Sequence, residues 1–252
     1  MSAEAAGATL YVVATPIGNL EDVTYRAVRL LKELKAVACE DTRHTRILFD
    51  RYGVSKPDLL MSYHEHNEDR AADRIIQLLR SGLSVGLVSN AGYPGISDPG
   101  YVILTRAAEA GYRIEVIPGG SAVPHALLLS GLPTSSFTFK GFPPRKPGPL
   151  RRFLAMDADL PHTLIVFESP HRLGALLQAS LEVLGDRKAA VCVEMTKKFE
   201  DVRRHWLSEL ARQYAVGVVR GEVTVVIAGA NPKFRRAAPD RSEAPESSES
   251  SE

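Results

Sequence analysis

At 252 residues, with 44% hydrophobic side chains, 24% charged side chains and a formal net charge of +1, the sequence excludes a disordered, collagen-like or strongly basic chain. No apolar run approaches the roughly 20 residues that span a bilayer, and the opening MSAEAAGATL lacks the basic-then-hydrophobic pattern of a secretory signal. Cys39 and Cys192 both lie inside apolar runs, which favours buried reduced thiols over a disulfide or metal site and points to a cytoplasmic protein.

Residues 1–8 are small and polar and read as loose. Leu10–Ala14 reads as a first strand, stopped by Thr15-Pro16-Ile17-Gly18-Asn19-Leu20. Asp22 is placed to cap a helix with the apolar stripe Val23, Ala27, Leu30, Leu31 and Leu34. Strand Ala36–Cys39 ends in Glu40-Asp41-Thr42-Arg43-His44-Thr45, and a short helix through Ile47, Leu48 and Phe49 closes at Gly53. A strand at Leu59–Ser62, the polar segment Tyr63–Glu68 and a helix to Arg80 follow. Val85-Gly86-Leu87-Val88 is an unbroken apolar run of the kind buried on both faces. It breaks into the Gly- and Pro-rich Ser89–Gly95, and Ser97-Asp98-Pro99 has the form of a helix start. A helix carrying Val102, Ile103, Leu104 and Ala107 ends at Gly111. Strand Arg113–Ile117 then runs into Pro118-Gly119-Gly120-Ser121-Ala122 and a helix at Val123–Leu129.

Such alternation calls for a mostly parallel sheet covered on both faces. From Gly131 the rhythm changes. A strand at Ser136–Phe142, an exposed loop through Pro149, a helix from Leu150, strand Thr163–Phe167 and helix Leu173–Leu184 lead to closely spaced strands at Ala189–Met195, Val202–Trp206 and Val223–Ala228. Strands with few crossover helices suggest a mixed or antiparallel sheet. The sequence is therefore read as α/β in two domains, residues 9–120 and 121–230, flanked by loose residues 1–8 and a disordered tail at 231–252.

Four polar loops fall at strand ends, Thr15–Asn19, Glu40–Thr45, Asn90–Asp98 and Pro118–Ala122, and in a parallel sheet they converge along one edge. The dinucleotide fingerprint, the P-loop and the nucleophile elbow are all absent. His64-Glu65-His66 lacks metal-ligand spacing and reads as a solvated loop, so no metal is expected. Residues 231–252 hold four of the 31 Lys/Arg and five of the 30 Asp/Glu, leaving +2 on residues 1–230. That charge is clustered at Arg43–Arg46, at Arg145, Lys146, Arg151 and Arg152, and at Lys197, Lys198, Arg203 and Arg204. Clusters like these are commonly solvated helix faces, and gathered on one rim they would hold a phosphate backbone.

The segments TPIGNL at 15–20, EDTRHT at 40–45, the Ser89–Gly100 loop, PGGSA at 118–122 and ESPHR at 168–172 occur in order. Together they closely resemble the small-subunit ribosomal RNA methyltransferase branch of the tetrapyrrole methylase superfamily, from about Leu10 to Gly229. The resemblance implies two α/β domains with S-adenosylmethionine in the cleft between them, and a homodimer. It also implies methylation of a cytidine ribose 2′-hydroxyl in the decoding region of 16S ribosomal RNA, as free RNA or in the small ribosomal subunit. Its cofactor pocket maps onto Pro16, Gly18, Gly92, Tyr93, Pro94, Gly95, Ile96, Ser97, Ser121 and Ala122, and in the second domain onto Phe167, Gly221 and Glu222. Asn90 stands where the family loop usually carries an acid, and Tyr93 where it carries a threonine.

A sulfonium donor carries its own activation, so alignment of the nucleophile is the main requirement. A ribose hydroxyl must lose its proton as the bond forms, and Asp41, Glu40 and His44 are the candidates for that task, with Arg43 placing a phosphate. Arg43, Arg46, Arg145, Lys146, Arg151 and Arg152 are the expected RNA contacts. The alternative for Glu40-Asp41 is a helix cap with Arg43 as partner. Two rivals remain, a methylase of a corrin-like small molecule and a non-catalytic RNA-binding module, and saturable cofactor binding separates the second from both enzymes.

Overall fold

The computed structural model describes residues 7–216 and 219–236. Contacts divide these into two compact units, one running to Leu129 and taking in Cys192–Asp201, the other comprising Ser130–Val191 and the residues from Val202 onward. The division falls nine residues later than the 120/121 boundary read from the sequence, because helix α5 (Ala122–Ser130) belongs to the first unit. Of the loose N-terminus, residues 1–6 lie outside the described residues, whereas Ala8 is buried.

The first unit is built on a sheet of strands β1 (Thr9–Val13), β2 (Ala36–Cys39), β3 (Leu59–Ser62), β4 (Val85–Val88) and β5 (Arg113–Ile117), in the order β3-β2-β4-β1-β5. Every pairing is parallel, and Ser62, Cys39, Val88, Val13 and Ile117 form one register row at the C-terminal edge. The inner strands β2 and β4 are buried at every residue, as their apolar runs require, and the edge strands β3 and β5 carry the exposed residues.

Helices cover both faces. Ala36, Ala38, Val85 and Leu87 face Ile75 and Leu79 of α3 (Glu68–Arg80) and Ile103 and Ala107 of α4 (Tyr101–Glu109). Val37, Cys39 and Val88 face Leu31 of α1 (Tyr25–Glu33), Leu34 just beyond it, and Leu48 and Phe49 of α2 (Thr42–Tyr52). A Cβ on Gly86 would lie 2.8 Å from Leu34 Cδ1, so glycine in β4 is what lets α1 pack this close. Truncating a fully buried leucine such as Leu31 in such a layer costs about 2–5 kcal/mol.

Two helix starts differ from the sequence reading. Leu20–Asp22 forms a short 3-10 turn, and Thr24, not Asp22, caps α1 by accepting from Ala27 N. Helix α4 begins after Gly100, not at Ser97-Asp98-Pro99. Its first amides are held from afar, Gly100 N donating to Glu68 Oε1 at 2.8 Å and Ile103 N to the Tyr63 hydroxyl at 3.2 Å. Tyr63 in turn donates to Glu68, and burial pushes its phenol up from the ordinary tyrosine range. The polar segment Tyr63–Glu68 thus serves as a remote helix cap.

The second unit carries strands β6 (Phe137–Phe139), β7 (Thr163–Glu168), β8 (Lys188–Val193), β9 (Asp201–Trp206) and β10 (Val223–Ile227), in the order β6-β7-β10-β8-β9. The sheet is mixed, with β6 parallel to β7 and β7 antiparallel to β10. Helices α6 (Pro147–Ala155), α7 (Leu173–Leu184) and α8 (Leu207–Gln213) accompany it. Helix α6 opens on Pro147, whose fixed φ suits a first helical turn, so part of the expected exposed loop is helix. The tail differs too. Asn231 caps a 3-10 turn at Pro232–Phe234, and Arg236 bonds Glu209 at 2.6 Å with its guanidinium 4.6 Å from the Trp206 ring. Cation–π and charge-assisted contacts order a stretch that composition assigned to a disordered tail. Residues 237–252 lie outside the described residues.

Candidate active site

The loops leaving the register row are stitched together by backbone. Thr15 and Gly92 exchange a pair of hydrogen bonds, 2.9 Å from Thr15 N and 3.1 Å from Gly92 N, and the Thr15 hydroxyl donates to Ser89 O. A Cβ on Gly119 would sit 3.0 Å from Ala14 Cβ, and one on Gly120 would sit 3.3 Å from Thr15 O. Glycine at both positions permits the β5 loop to lie against the β1 loop. The Tyr93 hydroxyl accepts from Gly119 N at 3.2 Å, tying the β4 loop to the β5 loop. A threonine there could not reach as far.

Beside these loops lies a cleft of about 350 Å³ lined by Ile17, Asn19, Asp22, Gly120, Ser121, His125 and Thr196. Ser121 is among the residues read for the cofactor pocket, and Ala122 follows it as the first residue of α5. Asn19, Asp22, His125 and Thr196 are not among them. His125 breaks the otherwise apolar run Ala122–Leu129, a signal legible in the sequence. Thr196 comes from a turn 177 residues away whose hydroxyl accepts from Asn19 N at 3.0 Å, which no local pattern reveals. Gly18 stands against that same turn, where a Cβ would be 2.5 Å from Lys197 Cγ, and Pro16 is buried beneath. In the β4 loop Pro94 is buried, Ile96 and Ser97 are exposed, and Ser97 holds φ +65, the left-handed conformation that costs an ordinary residue.

The β2 loop joins the same edge through Glu40, whose Oε2 accepts from Asn90 N at 3.3 Å. Glu40 Oε1 has no hydrogen bond among the described residues, and neither has the buried Asn90 Oδ1. Asp41 differs. Its Oδ1 caps α2 by accepting from Arg43 N at 2.8 Å, and the Arg43 guanidinium bonds both carboxylate oxygens at 3.2 and 2.9 Å. The Arg43 hydrogen bonds hold the Asp41 carboxyl down at about 2. His44 and Arg46 are exposed on the first turns of α2. Among the described residues no three His, Cys, Asp or Glu side chains group as metal ligands, and no helix is long and apolar enough to cross a membrane.

In the second unit, Phe167 lies opposite Thr224, and Gly221 and Glu222 precede β10, so all three fall at one end of that sheet. Arg145, Lys146 and Arg152 are exposed without an ion pair among the described residues, while Arg151 pairs with Glu182 at 2.7 Å.

The family profile described as Tetrapyrrole (Corrin/Porphyrin) Methylases matches residues 9–211, and the chain belongs to that family; it is a methyltransferase. Among its relatives, the ribosomal RNA small subunit methyltransferase I of Mesorhizobium japonicum is 48% identical over 227 residues, 89% of this chain and 76% of that one. The protein of the same name from Thermotoga maritima is 41% identical over 221 residues, 87% of this chain and 98% of its own length. A solved uroporphyrin-III C-methyltransferase from Thermus thermophilus, complexed with S-adenosyl homocysteine, shares the fold with a TM-score of 0.58 at 23% identity, covering 87% of this chain and 97% of that one.

Proposed function

We propose that the chain transfers a methyl group from S-adenosylmethionine to the 2′-hydroxyl of a cytidine ribose in the decoding region of 16S ribosomal RNA, acting in the cytoplasm as a homodimer. The observation that carries this reading is the junction of the β1, β4 and β5 loops beside the Ser121–His125 cleft, on a chain 41–48% identical to proteins named for ribosomal RNA methylation. The residues at this edge fit the cofactor. Asn90 Oδ1 is a buried acceptor without a partner and suits an amino or hydroxyl donor. Asn19, Asp22, Ser121, His125 and Thr196 offer polar groups around a cleft within the size range of small-ligand sites. With the Gly92–Ser97 backbone they would hold it.

When bound, S-adenosylmethionine supplies a methyl group already activated by its sulfonium. The chain's own work is to align the ribose hydroxyl, exclude water and take the proton. Glu40 takes that proton. It is half-buried, positioned by the Asn90 amide, and has one oxygen unengaged. Asp41 is left as the cap of α2, because a carboxylate held at about 2 is too weak a base at neutral pH. RNA phosphates meet Arg46, Arg145, Lys146 and Arg152. Arg151 joins them by exchanging an exposed ion pair that contributes only about 0–1 kcal/mol, whereas Arg43 stays on Asp41.

The family description names corrins and porphyrins, which supports a second reading with a tetrapyrrole substrate. Incubation with methyl-labelled cofactor separates the two. The expected outcome is label in 16S ribosomal RNA or small subunits and none in a uroporphyrinogen or corrinoid, and the reverse pattern would overturn the RNA reading.

A further inference from the structure

The β6–β7 ladder continues past its last paired residues, with Lys140 N donating to Ile165 O at 3.1 Å and Phe167 N to Gly141 O at 2.9 Å. Gly141 then turns at φ +60, a conformation glycine adopts freely, and the next residue is pushed outward. That residue is Phe142, 57% exposed. Its mount is stiff. Pro143, which is buried, and Pro144 follow directly, and the Phe142 ring meets Phe167 edge-on with centroids 5.6 Å apart. Phe167 is braced from Phe139 at 4.8 Å.

A single exposed aromatic is ordinary on a protein surface, but this one has charged company of one sign. From Lys140 to Arg152 the chain has five Lys/Arg and no Asp or Glu. Lys140 is engaged with Asp157 and Arg151 with Glu182, which leaves Arg145, Lys146 and Arg152 exposed and without an ion pair among the described residues. At the end of β7, Arg172 pairs with Glu168 through Nη2, while its buried Nη1 has no partner among the described residues. A flat apolar face on a rigid mount, in a stretch whose charged residues from Lys140 to Arg152 are all cations, matches an unpaired nucleobase flanked by its phosphates. It does not match a tetrapyrrole, whose acidic rim would need the cations but whose macrocycle is far larger than one phenyl ring.

We propose that Phe142 is a stacking platform for an unpaired base of the RNA substrate, with Arg145, Lys146 and Arg152 on the adjoining phosphates. This rests on the RNA reading above and deepens it by assigning the residue that grips a base.

The test uses the full chain and a single-stranded oligoribonucleotide from the 16S decoding region. Phe142→Ala and Phe142→Leu should each weaken binding about 5- to 100-fold, the range of one base–aromatic stack, and Phe142→Trp should restore it. The salt slope should match the parent in all three, because no charge is removed, whereas the Arg145→Ala, Lys146→Ala double variant should flatten it. Melting temperatures equal to the parent's would show that the exposed position does not disturb the fold. Leu or Ala variants binding within twofold of the parent would overturn the platform even if the parent methylates RNA. A patch that serves instead to seat a second protein copy would give that same result, with a change in oligomeric state. A parent that methylates no RNA would overturn the reading beneath it, and that outcome is read from the labelled-methyl assay and not from the variants.

Discussion

Cys39 and Val88 lie side by side in one register row, yet the loops that leave them are built in opposite ways. After β2, the Glu40–Thr45 loop is a set of side chains bonded to their own neighbours: Asp41 caps α2 and grips Arg43, and the Thr45 hydroxyl donates to Asp41 O. After β4, the Ser89–Gly100 loop is mostly backbone. It pairs with Thr15, closes on itself where a Gly100 Cβ would be 2.7 Å from Gly95 N, and leaves Asn90 Oδ1 buried without a partner. The difference separates two kinds of conspicuous residue. A polar side chain whose bonds are all satisfied locally builds structure, and one left buried and unsatisfied at a strand end calls for a partner. Glu40 is the exception that links the loops, because it belongs to the first and bonds the second.

The sharpest way to break this comparison is Glu40→Gln. Glutamine keeps an acceptor for the Asn90 amide and cannot take a proton, so single-turnover methylation should fall about 10²–10⁴-fold with cofactor affinity nearly intact. A rate within a few-fold of the parent would remove Glu40 from the chemistry.

Gly92→Leu tests the backbone-built loop. Gly92 holds φ +76, and a Cβ there would lie 3.6 Å from Ile17 Cγ2 and 3.7 Å from Gly120 O, leaving room for one carbon but not for a branched chain. Cofactor affinity should drop about a hundredfold by calorimetry, a strained left-handed residue and a displaced β5 loop each adding on the order of 1–3 kcal/mol. Unchanged affinity would place the pocket elsewhere.

Asn90→Ala is the finer probe. It should weaken the cofactor about 2- to 10-fold, the loss of one hydrogen bond, while the melting temperature of the cofactor-free protein does not fall. Lower stability with unchanged affinity would make Asn90 a structural residue.

Asp41→Asn should do least. Asparagine caps a helix about as well as aspartate, so the rate should stay within a few-fold of the parent. Because the folded Asp41 carboxyl lies at about 2, below the ordinary value near 4, its small contribution to stability is present above pH 4 and lost as pH falls through about 2. The rate profile between pH 5 and 9 should carry no inflection from it. A rate loss of a hundredfold or more would return the proton transfer to Asp41.

The sheet of the first unit was legible because β2 and β4 are apolar runs and each strand end is marked by Gly, Pro or a polar cluster. Of the residues lining the candidate cleft, Ser121 lies in a strand-end loop that the sequence marks in the same way. What escaped were partners distant along the chain. Helix α4 is capped by Glu68 and Tyr63, 32 and 40 residues away, so the local Ser97-Asp98-Pro99 pattern misled. Thr196 reaches the cleft from a stretch that the sequence reading placed in the second domain, though Cys192–Asp201 belongs to the first unit. Arg236 is ordered by Glu209 and Trp206 in a stretch whose composition alone reads as disordered.

The central claim is that the product is a ribose-methylated cytidine in small-subunit ribosomal RNA. Unmethylated 16S RNA or small subunits, treated with the chain and labelled S-adenosylmethionine, can be digested to nucleosides and mapped by mass. The account predicts label in 2′-O-methylcytidine at one decoding-region position, reduced by Glu40→Gln and retained by Asp41→Asn. Label on a base, on several unrelated nucleotides, or absent from RNA while cofactor binding is intact would contradict it.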